Sequence, residues 1–545
     1  MGISIKVYIS TSTTKNEWEK VYEESLYLAK HFPLANMQKA SIKGIDTICL
    51  VPTDEQEEKY GWNNENTRVG WYAVGDYETM HTAETYYMPR DLIGNNEIIP
   101  EFQDALLGIL SDYLDDDVFD DSEDYPAYQL WGNKTQGEPY HIYLLAIACM
   151  IQSRLGDKAF VLGDITKGQC KKAVELANRY LSVPIALPDH CDLERFRERI
   201  SKLPFDHTKQ FTIFERFYLG RKDTAFGEYI RKKFPTDIFD KYWKDKFQDY
   251  AIGSIGFCDT LKEYLLWGFH LENLPAIVNL YDAENKPQYE KFIKLIMDTK
   301  LHIKNKNCRE ILEIDADEPE PYNVNTLFSL FAYSGAKNQK VNMYIPIEKI
   351  RESLRKGFGE KCNTDLIIDK YLDKEAEEVD IKISKYNLPE EQELKKLCEQ
   401  DASEVFQQLI DIRVQTYKEN FAKYDISSCE GLIHYKKNDT IHPTLKDSLI
   451  QSFTFYNSLL KKEHFKNLKK KSALQCCQWL VNQNEKFLLR DKDWEKIFSD
   501  ILNSKNSFGR YYPMMRVELS SMNLVNLTKA IVLNDELYSF CKHPD

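Results

Sequence analysis

Two side chains of opposite proton affinity, Asp164 and His190, carry the chain's best-placed acid–base chemistry. Each follows a short apolar run, Lys158 to Leu162 and Pro184 to Leu187, that reads as a buried strand. If those strands are parallel neighbours, both side chains stand beyond the carboxyl ends of a sheet, where α/β folds bind ligands. A carboxylate and an imidazole at one rim could act as general base and acid. The competing reading is that Gly163-Asp164 only turns the chain from strand to helix.

The same region offers a mixed set of metal ligands, His190, Cys191 and Asp192, preceded by Asp189. Imidazole, thiolate and carboxylate all suit zinc. Neighbours in a chain seldom converge on one ion, however, and a helix cap at Asp189 or Asp192 accounts for the cluster more simply. Other carboxylates could gather a hard cation with remote partners. They are Asp115, Asp117, Asp120 and Asp121, and then Glu313, Asp315, Asp317 and Glu318. Neither run has the glycine and terminal glutamate of a calcium loop, and solvated surface is the simpler reading. No cofactor is assigned.

Phosphate cradles are missing in their usual form. There is no G-x-x-x-x-G-K-[ST] run, and Gly357-Phe358-Gly359 is followed by Cys362 where a dinucleotide loop needs a third glycine. Gly253-Ser254-Ile255-Gly256 departs from a serine-hydrolase elbow and reads as a turn before a helix. A basic run, Lys461, Lys462, Lys466, Lys469, Lys470 and Lys471, includes His464 and Phe465. It could hold a nucleic-acid backbone or an acidic protein, but an ordinary solvated helix face explains it as well.

These residues must be positioned by a chain of 545 residues with 43% apolar and 13% aromatic content, enough for several packed cores. Its net charge of −14 excludes a global basic footprint for nucleic acid. The densest apolar run, Ile142 to Ile151, is too short to span a bilayer and reads as a core helix. The N-terminus lacks a secretory signal pattern, and the twelve cysteines contain no C-x-x-C pair. The expectation is therefore a cytoplasmic protein with reduced thiols. Abundant Lys, Asn, Ile and Tyr suggest an AT-rich, bacterial genome.

Periodicity predicts a strand over Ile3 to Ser10, then a helix opened by the Thr14/Glu17 capping box and stopped at Pro33. Ile45 to Val51 reads as a strand, and Val69 to Val74 with Thr82 to Met88 as a hairpin. A helix over His141 to Leu155 is apolar nearly all round. Thr166 caps a helix with Cys170, Ala173, Val174 and Ala177 on one face. Short strands are expected at Glu310 to Asp315 and Val341 to Ile345, and Asp491 is expected to cap a late amphipathic helix.

The fold class expected is mixed α/β or α+β: a small α+β N-terminal unit, a short central α/β unit and a predominantly helical C-terminal half. The expected division is 1–125, 126–370, a charged linker at 371–396, and 397–545. With no contiguous catalytic signature, the expected function is that of a protein-interaction, regulatory or immunity-type binding protein whose partner is another protein. The alternative is a hydrolase or metal-dependent nuclease acting near Asp164 and His190.

Overall fold

Thr14 shows how local chemistry starts this fold. Its hydroxyl accepts from the Glu17 amide at 3.3 Å while Glu17 Oε2 accepts from the Thr14 amide at 2.8 Å, so both orphan N–H groups are satisfied. In the computed structural model, which describes residues 3–60, 66–92, 103–113, 127–299, 301–302, 343–385, 432–441, 443–459, 470–483, 488–516 and 522–544, that box opens α1 (Lys15–His31). The preceding strand is β1 (Ile5–Ser10). Five strands follow: β2 (Leu34–Ile42), β3 (Ile45–Pro52), β4 (Glu55–Tyr60), β5 (Asn66–Asp76) and β6 (Thr82–Pro89). Then come α2 (Leu107–Tyr113), β7 (Ala127–Trp131), α3 (His141–Leu155), β8 (Ala159–Gly163) and α4 (Lys167–Ala177).

The next helices are α5 (Leu193–Ser201), α6 (His207–Phe217), α7 (Thr224–Lys233), α8 (Thr236–Gln248), α9 (Ile255–Leu266), α10 (Leu274–Ile277), α11 (Tyr289–Asp298), α12 (Ile347–Phe358) and α13 (Thr364–Lys385). The last six are α14 (Pro443–Leu459), α15 (Ala473–Gln483), α16 (Asp491–Asn503), α17 (Phe508–Arg516), α18 (Met522–Leu533) and α19 (Asp535–Lys542). The fold is mixed α and β, with its sheets near the N-terminus and a helical C-terminal half.

Two compact units divide the chain. The first comprises residues 1–192, 319–324 and 423–545; the second comprises 193–318 and 325–422. The sequence reading separates 1–125 from 397–545, whereas the first unit draws on both ends of the chain. Apolar side chains of β2 and β3, including Ala35, Ile45 and Leu50, share one core with Trp494, Ile497 and Phe498 of α16. Hydrophobic burial there is reinforced by the Leu50 amide donating to the Leu489 carbonyl at 2.8 Å and by Trp494 Nε1 donating to the Ile48 carbonyl at 3.2 Å.

Both sheets of the first unit are antiparallel. One runs β7-β1-β8, with Val7 opposite both Trp131 and Val161. The other runs β3-β2-β5-β4, with β6 also on β5. α3 packs on β1 and β8 and is flanked by α1 and α4. Its interior place explains why apolar residues run almost all the way round it.

Several local expectations are met and several are corrected. Thr166 caps α4 reciprocally with Gln169. The expected hairpin is β5–β6. Pro184 to Leu187 forms no strand, and β8 pairs antiparallel to β1, so the parallel pair expected around Asp164 is not built. Arg490, not Asp491, occupies the cap position of α16. β2, β4 and β7 were not foreseen, because polar residues interrupt their apolar alternation. Residues 343–346 are irregular, and the stretch from Lys370 is helical through Lys385; the rest of both expected segments lies outside the described residues.

The second unit is built from helices whose buried aliphatic side chains, such as Leu261 and Ile293, surround a cluster of aromatic rings. Trp243 of α8 meets Tyr264 of α9 at 5.2 Å between ring centroids, Trp267 at 4.8 Å and Phe269 at 5.6 Å. Phe211 meets Phe234 and Phe239 edge-on in the same unit. Ser254 caps α9 by accepting from the Phe257 amide at 3.2 Å, which accounts for the Gly253-Ser254 turn. Gly359, at φ 56°, ends α12 in a backbone region that favours glycine, so the Gly357-Phe358-Gly359 run terminates a helix.

Candidate functional site

Asp164 stands on the surface immediately after β8. Its Oδ2 accepts from the Ser4 amide at 2.9 Å and from Ser4 Oγ at 3.0 Å, tying the start of β1 to the end of β8. Gly163 permits this approach: at φ 129°, a Cβ there would lie 2.4 Å from the Ser4 carbonyl oxygen. His190 lies in the short 3₁₀ turn Asp189–Cys191, 1% exposed, with its ring 4.6 Å from that of Phe160. Phe160 and Asp164 are four residues apart along extended chain, roughly 13 Å. His190 is therefore seated toward one end of β8 and Asp164 at the other.

The histidine whose titration Asp164 influences is His141, at the start of α3. His141 Nδ1 and Thr135 Oγ1 are 2.7 Å apart, and burial pushes its pKa down to about 4 against the pull of Asp164. In the unfolded chain the imidazole takes a proton near its ordinary 6.5, but in the folded chain only near 4. Stability linked to His141 is thus present above pH 6.5 and lost as pH falls toward 4, by about 3 kcal/mol. Urea midpoints of wild type and His141→Gln between pH 7 and 4.5 check it: the wild type should lose ground relative to the variant, and parallel curves would contradict the assignment.

Among the described residues, no three His, Cys, Asp or Glu side chains are gathered to hold a metal, so His190, Cys191 and Asp192 are not disposed as a common ligand set. Lys470 and Lys471 lie just before α15, with Lys470 exposed; the other lysines of that run lie outside the described residues, as do both acidic runs.

Sequence reasoning missed a buried charge cluster in the first unit. Lys529, in α18, is fully enclosed and its Nζ donates to the carbonyls of Met80 at 3.3 Å and Leu488 at 3.0 Å. Burial lowers its pKa to about 8, while Asp493 pulls up and Arg490 pushes further down. Arg490 pairs through two nitrogens with Asp493, Nη2 to Oδ1 at 2.8 Å. Nearby His81 pairs with Glu138, both almost fully buried. Met80, at φ 59°, belongs to the turn between β5 and β6. Asp76 holds that turn by accepting from the amides of Glu78 and Thr79. Perturbed groups of this kind occur at catalytic sites and in structural ion networks alike. Here the bonds run to backbone carbonyls of separate segments, which is the work of a strut. The legible signal was a lysine inside the apolar stretch Leu527-Thr528-Lys529-Ala530-Ile531.

No protein-family model, curated protein or solved structure matches this chain.

One concavity in the first unit has the size of a ligand or peptide site. About 790 Å³ in volume, it lies between α1, the end of α3 and the Tyr180–Ser182 segment. Glu17, Glu23 and Glu24 line it, against Lys20 and Arg154. Arg154 Nε donates to Glu24 at 2.6 Å, and its Nη2 reaches the Val183 carbonyl. Lys158 binds both oxygens of Glu17 at 2.9 and 3.0 Å. Burial pushes Glu17 up, but the bonds from Thr14 and Lys158 hold it below the usual carboxylate range. Tyr27 and Tyr180 also line the groove, 45% and 37% exposed, with His31 between them at 4.2 and 5.3 Å. Helix periodicity produces this arrangement: Lys20, Glu23 and Tyr27 recur three and four residues apart on the side of α1 away from the buried Trp18, Tyr22 and Ala29, with Glu17 and Glu24 at its flank. Among the described residues no helix is long and apolar enough to cross a membrane.

Proposed function

We propose that the chain is a protein-interaction protein, of regulatory or immunity type, and that the groove on α1 receives a basic segment of its partner. The observation that carries this reading is the pairing of two exposed tyrosine rings with a cavity lined by three glutamates. Tyrosine faces attract cations, and aromatic rings supply contact area at little conformational cost. The rigid Glu24–Arg154 and Glu17–Lys158 pairs keep the floor organised before binding. Glu23, exposed at the rim, adds negative charge, and the overall charge of −14 favours encounter with a basic partner.

The other reading, a hydrolase or metal-dependent nuclease at Asp164 and His190, has less in its favour. His190 is enclosed against Phe160, and neither residue lines the groove.

Fluorescence anisotropy with three peptides of equal length, one rich in Lys and Arg, one neutral and one rich in Glu, tests the proposal. The basic peptide should bind, more weakly as salt rises. Glu23→Lys and the Tyr27→Ala/Tyr180→Ala pair should each weaken it by roughly tenfold, about 1.4 kcal/mol. Tyr281→Ala, a change at an exposed tyrosine of the second unit, should leave binding unchanged. Equal binding of all three peptides, or indifference to the groove variants, would refute the reading.

A further inference from the structure

The groove on α1 already holds one guanidinium. Arg154 gives Glu24 two bonds, Nε to Oε2 at 2.6 Å and Nη2 to Oε1 at 3.2 Å, the forked geometry in which arginine meets a carboxylate. The adjacent Glu23 also lines the groove and is exposed, yet among the described residues its carboxylate has no hydrogen bond or ion pair. Glu23, Tyr27 and His31 follow one another at four-residue intervals. A carboxylate, a phenol ring and an imidazole ring thus stand on successive turns of one helix face, about 6 Å apart along the axis.

These rings are held in place before anything binds. His31 Nδ1 donates to the Tyr27 carbonyl at 2.7 Å, which fixes the imidazole. The Tyr180 ring lies 5.3 Å from His31 and stands edge-on to the buried Phe32 at 5.7 Å. The segment carrying Tyr180 is tied back by Asn178, whose side chain donates to the Ile185 carbonyl at 3.1 Å and accepts from the Ile185 amide at 2.8 Å. Lys20, two turns before Tyr27 on the same face, repels a second cation from the other end of the groove.

We propose that the tyrosine end of the groove is an arginine site, taking one arginine of the partner's basic segment with its guanidinium fork on Glu23 and its plane against the rings of Tyr27 and Tyr180. This rests on the groove receiving a basic segment, and selectivity for arginine is additional to it. A guanidinium is planar and weakly hydrated, so it can lie on a ring and still point two N–H groups at one carboxylate. An ammonium is a compact, strongly hydrated charge that gains little from rings open to water. A trimethylated lysine wants an enclosing aromatic cage. Here the tyrosine rings are tilted 42° and 48° to the imidazole between them and remain exposed, so the site is a shelf.

The test is fluorescence anisotropy of the full-length chain with labelled peptides of one Gly/Ser background and equal length. Their equal number of basic residues are all arginine, all lysine, all symmetric dimethylarginine or all trimethyl-lysine. The arginine peptide should bind roughly tenfold more tightly than the lysine peptide. Dimethylarginine, which keeps the charge but blocks the fork, should fall to the lysine level. Glu23→Gln and Tyr27→Leu should each abolish the preference for arginine, whereas Tyr27→Phe, which keeps the ring face, should retain it. Equal affinity for arginine and lysine, with both weakened in Tyr27→Ala/Tyr180→Ala, would overturn the arginine site and leave the basic-segment reading standing. Binding of neither peptide would remove both. Tighter binding of trimethyl-lysine than of arginine would also overturn the site, as would an arginine preference undiminished in both Glu23→Gln and Tyr27→Leu.

Discussion

Asp493→Ala should destabilise the first unit by about 3–5 kcal/mol, the usual cost of breaking a buried ion pair by removing one partner. Asp493 is 6% exposed and its carboxylate holds both Nε and Nη2 of Arg490, itself 6% exposed. Without it the guanidinium stays charged, because arginine cannot release its proton at any accessible pH. Lys529 feels the same loss, since Asp493 is a counter-charge that favours its ammonium form. Lysine has an escape that arginine lacks: with its pKa already near 8, it can shed its proton and remain buried. Most of the damage should therefore trace to Arg490. The double variant Arg490→Met/Asp493→Leu should recover much of the loss, as isosteric apolar replacements of buried pairs often do. Urea denaturation of the wild type, Arg490→Met, Asp493→Leu and the double supplies the cycle, with Asp493→Ala measured beside them. A shift for Asp493→Ala no larger than that of an exposed control such as Asp46→Ala would show that the pair does not bear on stability.

A comparable loss is expected in the second unit from Trp243→Ala. This indole is 1% exposed and touches the rings of Tyr242, Phe247, Tyr264, Trp267 and Phe269. Truncation removes most of its apolar contact area and leaves a cavity walled by rigid aromatics, which collapse poorly. Large-to-alanine changes of this kind cost about 3–5 kcal/mol, a large share of a domain's total of about 5–15 kcal/mol. Limited trypsin digestion should cut within α7 to α9 at far lower protease concentration in the variant. Trp243→Phe should fall between, because a ring still fills part of the space. Tyr250→Ala, at an exposed ring of the same unit, should change little. Equal protease resistance of Trp243→Ala and wild type would contradict the aromatic-core account.

Much of the secondary structure was legible because local chemistry determined it. Thr14 with Glu17 and Thr166 with Gln169 write their helix starts into four-residue spans, and the α3 run announces its own burial. Pro184 to Leu187 was misread because an apolar stretch between two prolines resembles a strand until a pairing partner is sought. β4 was missed because Glu55, Glu57 and Glu58 give it none of the apolar alternation of a half-buried strand; its pairing with β5 is a tertiary fact.

The sites were less legible still, for a related reason. The groove depends on α1 lying beside the end of α3, and no spacing along the chain betrays that pairing. Lys529 is the exception: a lysine in an apolar run calls for a partner, though not for two carbonyls more than 400 and 40 residues away, as Met80 and Leu488 prove to be. The expectation of an acid–base pair at Asp164 and His190 rested on a parallel strand arrangement that the antiparallel β1–β8 pairing replaces.

The discontinuity of the first unit bears on how the chain is made. Ribosomes deliver β2 and β3 long before the helices that complete their core, because the chain between Asp192 and Lys423 must be synthesised in the interval. About 450 residues separate the end of β3 from the end of α16, so at about 5–20 residues per second the wait is roughly 20–90 s. During it the apolar face bearing Ala35, Ile45 and Leu50 awaits α16. A nascent chain halted in that window would offer chaperones a ready-made target.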